Sequence, residues 1–136
     1  MEKIAFIINP VAGGGRTKRL IPMIDNKMNE VNMDYKIILT NGPKEATAIA
    51  KKCLEEGYNK IVAVGGDGTV NEVALGILDH GKGILGILPS GTGNDLARTL
   101  NIPQEPDKAV DCSRKWQVLR RRSKDTAHGR YRRWIF

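Results

Sequence analysis

Four short aliphatic runs alternate with helical stripes, and this alternation limits the folds open to the chain more than any other feature. The runs are Lys3–Ile8 (KIAFII), Asp34–Leu39 (DYKIIL), Lys60–Val64 (KIVAV) and Ile84–Leu88 (ILGIL). Between them, Leu20, Ile24, Met28 and Val31 recur at near-helical spacing. Ala46, Ile49, Ala50, Cys53 and Leu54 form a second stripe, closed by Gly57. Val70, Val73, Ala74, Ile77 and Leu78 form a third, ending near Gly81. Asp95–Leu100 is expected to be a short helix capped by Asn94. The order β-α-β-α-β-α-β-α predicts an α/β domain with a parallel sheet and helices on its faces. Strands that read as unbroken apolar runs are those buried on both faces.

Right-handed crossovers bring every strand-to-helix turn to one edge of such a sheet, where open α/β folds bind ligands. Glycine-rich turns follow the first, third and fourth runs: NPVAGGGR, GGDG and PSGTGN. Bare backbone N–H groups beside a helix start favour an anion, so a phosphate ligand is expected there. The two standard phosphate fingerprints fail. A Walker A loop would need lysine where Arg16 stands and glycine where Pro10 stands. A G-x-G-x-x-G turn would need glycine at Asn71 or at Leu96.

What survives is GGDGTVNEV at 65–73, NPVAGGG at 9–15 and LPSGTGNDLAR at 88–98. In this order and spacing they resemble the catalytic domain of the diacylglycerol kinase family, which includes bacterial lipid kinases and sphingosine and ceramide kinases. NAD kinases and phosphofructokinases share the GGDG turn; the GTGNDLAR segment and the NP loop narrow the match to lipid kinases. The resemblance covers about residues 1–110. It implies a three-layer, Rossmann-like nucleotide-binding domain of the NAD kinase/phosphofructokinase type. It also implies an enzyme that transfers the γ-phosphoryl group of ATP to a lipid hydroxyl, such as that of diacylglycerol, with Mg2+. Carried over by position, Asn9, Pro10, Val11, Ala12 and Gly13 would line the ATP site, and Thr40 would touch a phosphate or the ribose. Gly66, Asp67, Gly68, Thr69, Val70, Asn71 and Glu72 would hold the phosphate chain, and Thr92 would complete the contacts.

Asp67 puts a negative charge where a negative ligand is expected. That juxtaposition is unfavourable unless a cation intervenes. Phosphoryl transfer uses magnesium to neutralise charge and a group to orient or deprotonate the attacking hydroxyl. Asp67 is assigned to the magnesium–phosphate side, because the family's main proton acceptor belongs to a later domain. The plain alternative is a turn carboxylate bonded to neighbouring N–H groups. Likewise Glu72 has a surface acid as its plain alternative, and Arg16 and Arg98 read as solvated residues near helix ends. No protein-built metal cage is expected, and His80 and His128 belong to no constellation.

The 136 residues suffice for one domain, 40% apolar and 5% aromatic. No run of about 18 apolar residues exists, and MEKIAFIINP is too short and too weakly basic for a signal peptide. Cys53 and Cys112 lack metal-ligand spacing and read as ordinary thiols. A cytoplasmic protein is expected, with peripheral contact to the inner membrane face. The charge of +7 is unevenly spread: residues 1–111 sum to −1, while 112–136 carry +8 and both tryptophans. The chain therefore divides into a partial catalytic domain, 1–111, and a basic segment, 112–136, expected to be a non-native or disordered tail of out-of-frame or appended sequence. By the resemblance, a second, β-rich domain with the acyl pocket and the base is expected to be absent from these residues, and weak or absent turnover is expected with it. The alternatives are another GGDG kinase such as an NAD kinase, or a non-catalytic module whose basic tail binds a membrane or nucleic acid; for the kinase reading nucleic acid is not an expected partner.

Overall fold

The computed structural model describes residues 3–89 and 117–120. Strand β1 (Lys3–Ile8) leads through a 3-10 run (Ala12–Arg19) into helix α1 (Leu20–Glu30). Strand β2 (Asp34–Leu39), helix α2 (Glu45–Glu55), strand β3 (Lys60–Gly65), helix α3 (Asp67–His80) and strand β4 (Lys82–Pro89) follow. Strand β5 (Gln117–Arg120) completes one sheet of order β2-β1-β3-β4-β5. The first four strands are parallel, in registers that set Ile8 beside Leu39 and Val64, and Gly65 beside Pro89.

The chain leaves β1 toward one side of the sheet to make β2, then returns past it to make β3 and β4. With right-handed crossovers, that reversal puts α1 on one face and α2 and α3 on the other. The α2 and α3 helices pack on each other and on the central strands. This is the three-layer α/β architecture expected. Ile4 to Ile8 and Ile61 to Val64 are buried on both sides, which explains their unbroken apolar spelling. Strand β2 lies at an edge, and its side chains are only half-buried.

Several expectations are corrected. Val31 does not join the core: α1 ends at Glu30, and Val31, its C-cap, is 57% exposed. The NPVAGGGR loop winds into tight turns in which Gly14 and Gly15 take φ of 69° and 88°, which only glycine adopts readily. Strand β4 extends two residues earlier and one later than its aliphatic run. Within the segment read as a tail, Gln117–Arg120 pairs antiparallel to β4, Leu85 opposite Gln117 and Lys82 opposite Arg120. Parallel sheets commonly carry such an antiparallel edge strand. Thr92, Arg98, His128, Cys112 and the helix expected at 95–100 lie outside the described residues.

Candidate functional site

Between β1 and β3 the sheet order reverses, and open α/β sheets bind ligands at the carboxyl ends of strands at such a point. A cleft of about 440 Å3 lies there. One wall is Asn9, Pro10 and Val11, which follow β1. The opposite wall is Thr40, Asn41, Gly42 and Pro43, which follow β2, with Ala46 from α2. Gly68, Thr69 and Glu72, on the first turns of α3, complete the lining.

The local sequence explains each wall. Asn9 continues the sheet by donating its N–H to the Val64 carbonyl at 3.0 Å. Its own carbonyl accepts from Ala12 N (3.2 Å) and from the buried Thr17 Oγ1 (2.5 Å), and its Oδ1 accepts from Val11 N (3.2 Å). One asparagine thus gathers the loop, leaving Val11 76% exposed at the cleft wall. Thr40, 7% exposed, is fixed by its N–H on the Ile8 carbonyl at 2.9 Å. In the GGDG turn, Gly66 is extended and α3 begins at Asp67. The first bond of the α3 ladder recorded from this end runs from Val70 N to Gly66 O at 3.1 Å, so the first-turn amides precede the ladder, as at any helix start. Asp67 stands in that turn, where a carboxylate is favoured by the helix dipole.

Of the residues named from sequence, Asn9, Pro10, Val11, Thr40, Gly68, Thr69 and Glu72 come together around the cleft. Ala12 and Gly13 begin the 3-10 run just beyond it, and Gly66, Asp67 and Asn71 are exposed neighbours of the lining residues. Val70 is 1% exposed and belongs to the core. The Asn41–Pro43 wall was missed, because Thr-Asn-Gly-Pro reads as turn chemistry and is not glycine-rich. Its position after a parallel strand was the available signal.

Glu72 is the one acid that lines the cleft among the described residues, with Asp67 close by in sequence. No group of three His, Cys, Asp or Glu side chains able to hold a metal occurs among the described residues. Mg2+ needs no such cluster, since it binds through one or two carboxylates and substrate phosphates, and Asp67 is an exposed carboxylate at the start of α3. Away from the cleft, the Tyr35 hydroxyl on β2 donates to Asp25 of α1 at 2.6 Å, which raises the phenol pKa, and three further displaced groups gather toward the other end of α2. Lys36 donates to Glu56 at 2.6 Å, which lowers the Glu56 carboxyl and raises the Lys36 ammonium, while burial raises the Cys53 thiol.

A family model, the diacylglycerol kinase catalytic domain, matches residues 3–123. This chain belongs to that family. Diacylglycerol kinases of Staphylococcus carnosus and Staphylococcus saprophyticus are similar to it, 40% and 38% identical over 113 residues. In both cases the match takes in 82% of this chain and 37% of the relative. A solved diacylglycerol kinase structure from Bacillus anthracis superposes with a TM-score of 0.66 at 32% identity, over 79% of this chain and 38% of that one. The kinase-family chain thus spans less than two-fifths of the length of these relatives. Its match runs past residue 111 and takes in β5.

Proposed function

We propose that the chain is the nucleotide-binding part of an ATP-dependent lipid kinase of the diacylglycerol type. The observation that carries this reading is the meeting of the post-β1, post-β2 and GGDG segments on one cleft at the sheet's reversal point. In this reading Asn9, Pro10, Val11 and Ala12, with Gly13, face the adenosine side, and Thr40 contacts ribose or phosphate. Backbone amides from Gly66 to Thr69 take the phosphate chain, as helix starts do. Asp67, in the first turn of α3 beside those amides, would hold Mg2+ on the phosphates, with Thr92 as a further ATP contact. The cation, when bound, neutralises charge that builds on the transferring phosphoryl group. Val70 supports this turn from the core, and Asn71 flanks it at the surface.

The acceptor is a lipid hydroxyl, in keeping with the names of the relatives, and the chain works at a membrane surface. Deprotonating that hydroxyl needs a base held close to it. Among the described residues the cleft's side chains are read as nucleotide contacts and not as that base, so the reading expects the chain to bind Mg-ATP but to phosphorylate diacylglycerol slowly or not at all. Calorimetric titration with Mg-ATP, beside a radiolabel transfer assay on diacylglycerol micelles, tests both halves. Saturable ATP binding with little transfer is the expected result. Absence of binding, or selective phosphorylation of NAD, would overturn the reading.

A further inference from the structure

Glu72 occupies an unusual position for an acid beside a phosphate site. Its Oε1 accepts the backbone N–H of Lys44 at 2.7 Å, and its carbonyl accepts Thr47 Oγ1 at 2.9 Å. Lys44 is the N-cap of α2, sits in the left-handed region at φ 66°, and contributes no side-chain cap to its own helix. Glu72 therefore supplies from α3 the anionic cap that α2 lacks. One turn further along α3, a Cβ on Gly76 would fall 2.5 Å from the Thr47 carbonyl oxygen, so the two helices approach backbone to backbone at the same place. The far wall of the cleft hangs from this joint. Asn41 N donates to Glu45 Oε2 at 2.9 Å in the first residue of α2, which ties the Asn41–Pro43 turn to the helix that Glu72 holds.

We infer that Glu72 is a positioning residue: by bonding Lys44 N it fixes the start of α2 and with it the Thr40–Pro43 wall that faces Asn9–Val11 across the cleft. Its carboxylate binds the protein's own amide rather than a cation on the nucleotide. This inference rests on the nucleotide reading of the cleft for its functional consequence, but the brace itself is a property of the free chain.

The test compares wild type, Glu72→Gln, Glu72→Ala and Lys44→Gly in the full 136-residue chain. Two quantities are read: the Kd for Mg-ATP by calorimetry, and hydrogen-exchange protection of the Lys44 amide without ligand. Glutamine keeps the acceptor and discards the charge, so Glu72→Gln should retain the protection and stay within about twofold of wild-type affinity. Glu72→Ala should lose the protection and bind about tenfold more weakly, the value of one hydrogen bond to a charged group. Lys44→Gly keeps the N–H and suits φ 66°, so it should bind as wild type does. Equal weakening in the glutamine and alanine variants, with a changed dependence on Mg2+, would make Glu72 a cation ligand and overturn the inference. Lost protection in Glu72→Ala with unchanged Kd would reduce it to a structural contact and overturn it too. If wild type binds no Mg-ATP, the nucleotide reading fails instead, and the exchange comparison alone decides whether the brace exists.

Discussion

A side chain at Gly65 would put its first carbon 2.6 Å from Thr69 Oγ1 and 2.9 Å from Thr69 Cβ, inside any real contact distance. The first glycine of the GGDG turn is therefore a seat for Thr69, which the helix start folds back over it. Gly65→Ala must push Thr69 or the start of α3 aside. It is expected to destabilise the chain by about 1–3 kcal/mol, the usual range for overpacking a filled site, and to weaken Mg-ATP binding at the same turn. Unchanged melting and affinity would contradict that. The neighbouring residues show what spelling can and cannot reveal. Gly68, Thr69 and Asn9 were legible because a family pattern marks them. Thr17 was not, although it is fully buried and holds the Asn9 carbonyl, because a threonine between Arg16 and Lys18 spells a surface.

At the scale of elements, the strands were legible where burial on both faces forces continuous aliphatic sequence, as in β1 and β3. The α2 stripe was legible because Ala46, Ala50, Cys53 and Leu54 all face the core. Three features were not. The 3-10 run is hidden by glycines with no periodicity, the end of α1 is marked only by Asn32, which takes φ 53° just past the C-cap, and β5 is four residues within a basic stretch. The β2–α2 pair also carries a pH signature. Glu56, lowered by the Lys36 hydrogen bond, contributes stability above its unfolded pKa that is lost as pH falls through its folded one. Lys36, raised by the same bond, contributes below its unfolded pKa and loses that as pH rises through the folded one. Both side chains are partly exposed, so the effect is small. Thermal midpoints taken from neutral pH down through the carboxylate range should fall less steeply in Glu56→Gln than in wild type. Equal slopes would show that the pair adds nothing.

The molecule as a whole is an open sheet with its site where strand order reverses, and its described edges are β2 and β5. Because β5 comes from the basic segment, that segment has a structural part, covering the β4 edge that would otherwise present unpaired N–H and carbonyl groups. Deleting residues 112–136 should lower the melting midpoint by several degrees, on the order of 4–8 °C per kcal/mol lost, and promote self-association seen by light scattering. An unchanged, monomeric truncation would mean that β5 contributes nothing to stability. Three loop segments meet on the cleft proposed to bind nucleotide, within a chain spanning under two-fifths of its relatives. The most direct measurement is the melting of the chain with and without Mg-ATP, beside Asp67→Ala. At 100 times the dissociation constant the ligand should add about 2.7 kcal/mol, raising the wild-type midpoint clearly and the variant's less. A cooperative melt that Mg-ATP leaves unmoved would contradict that proposal.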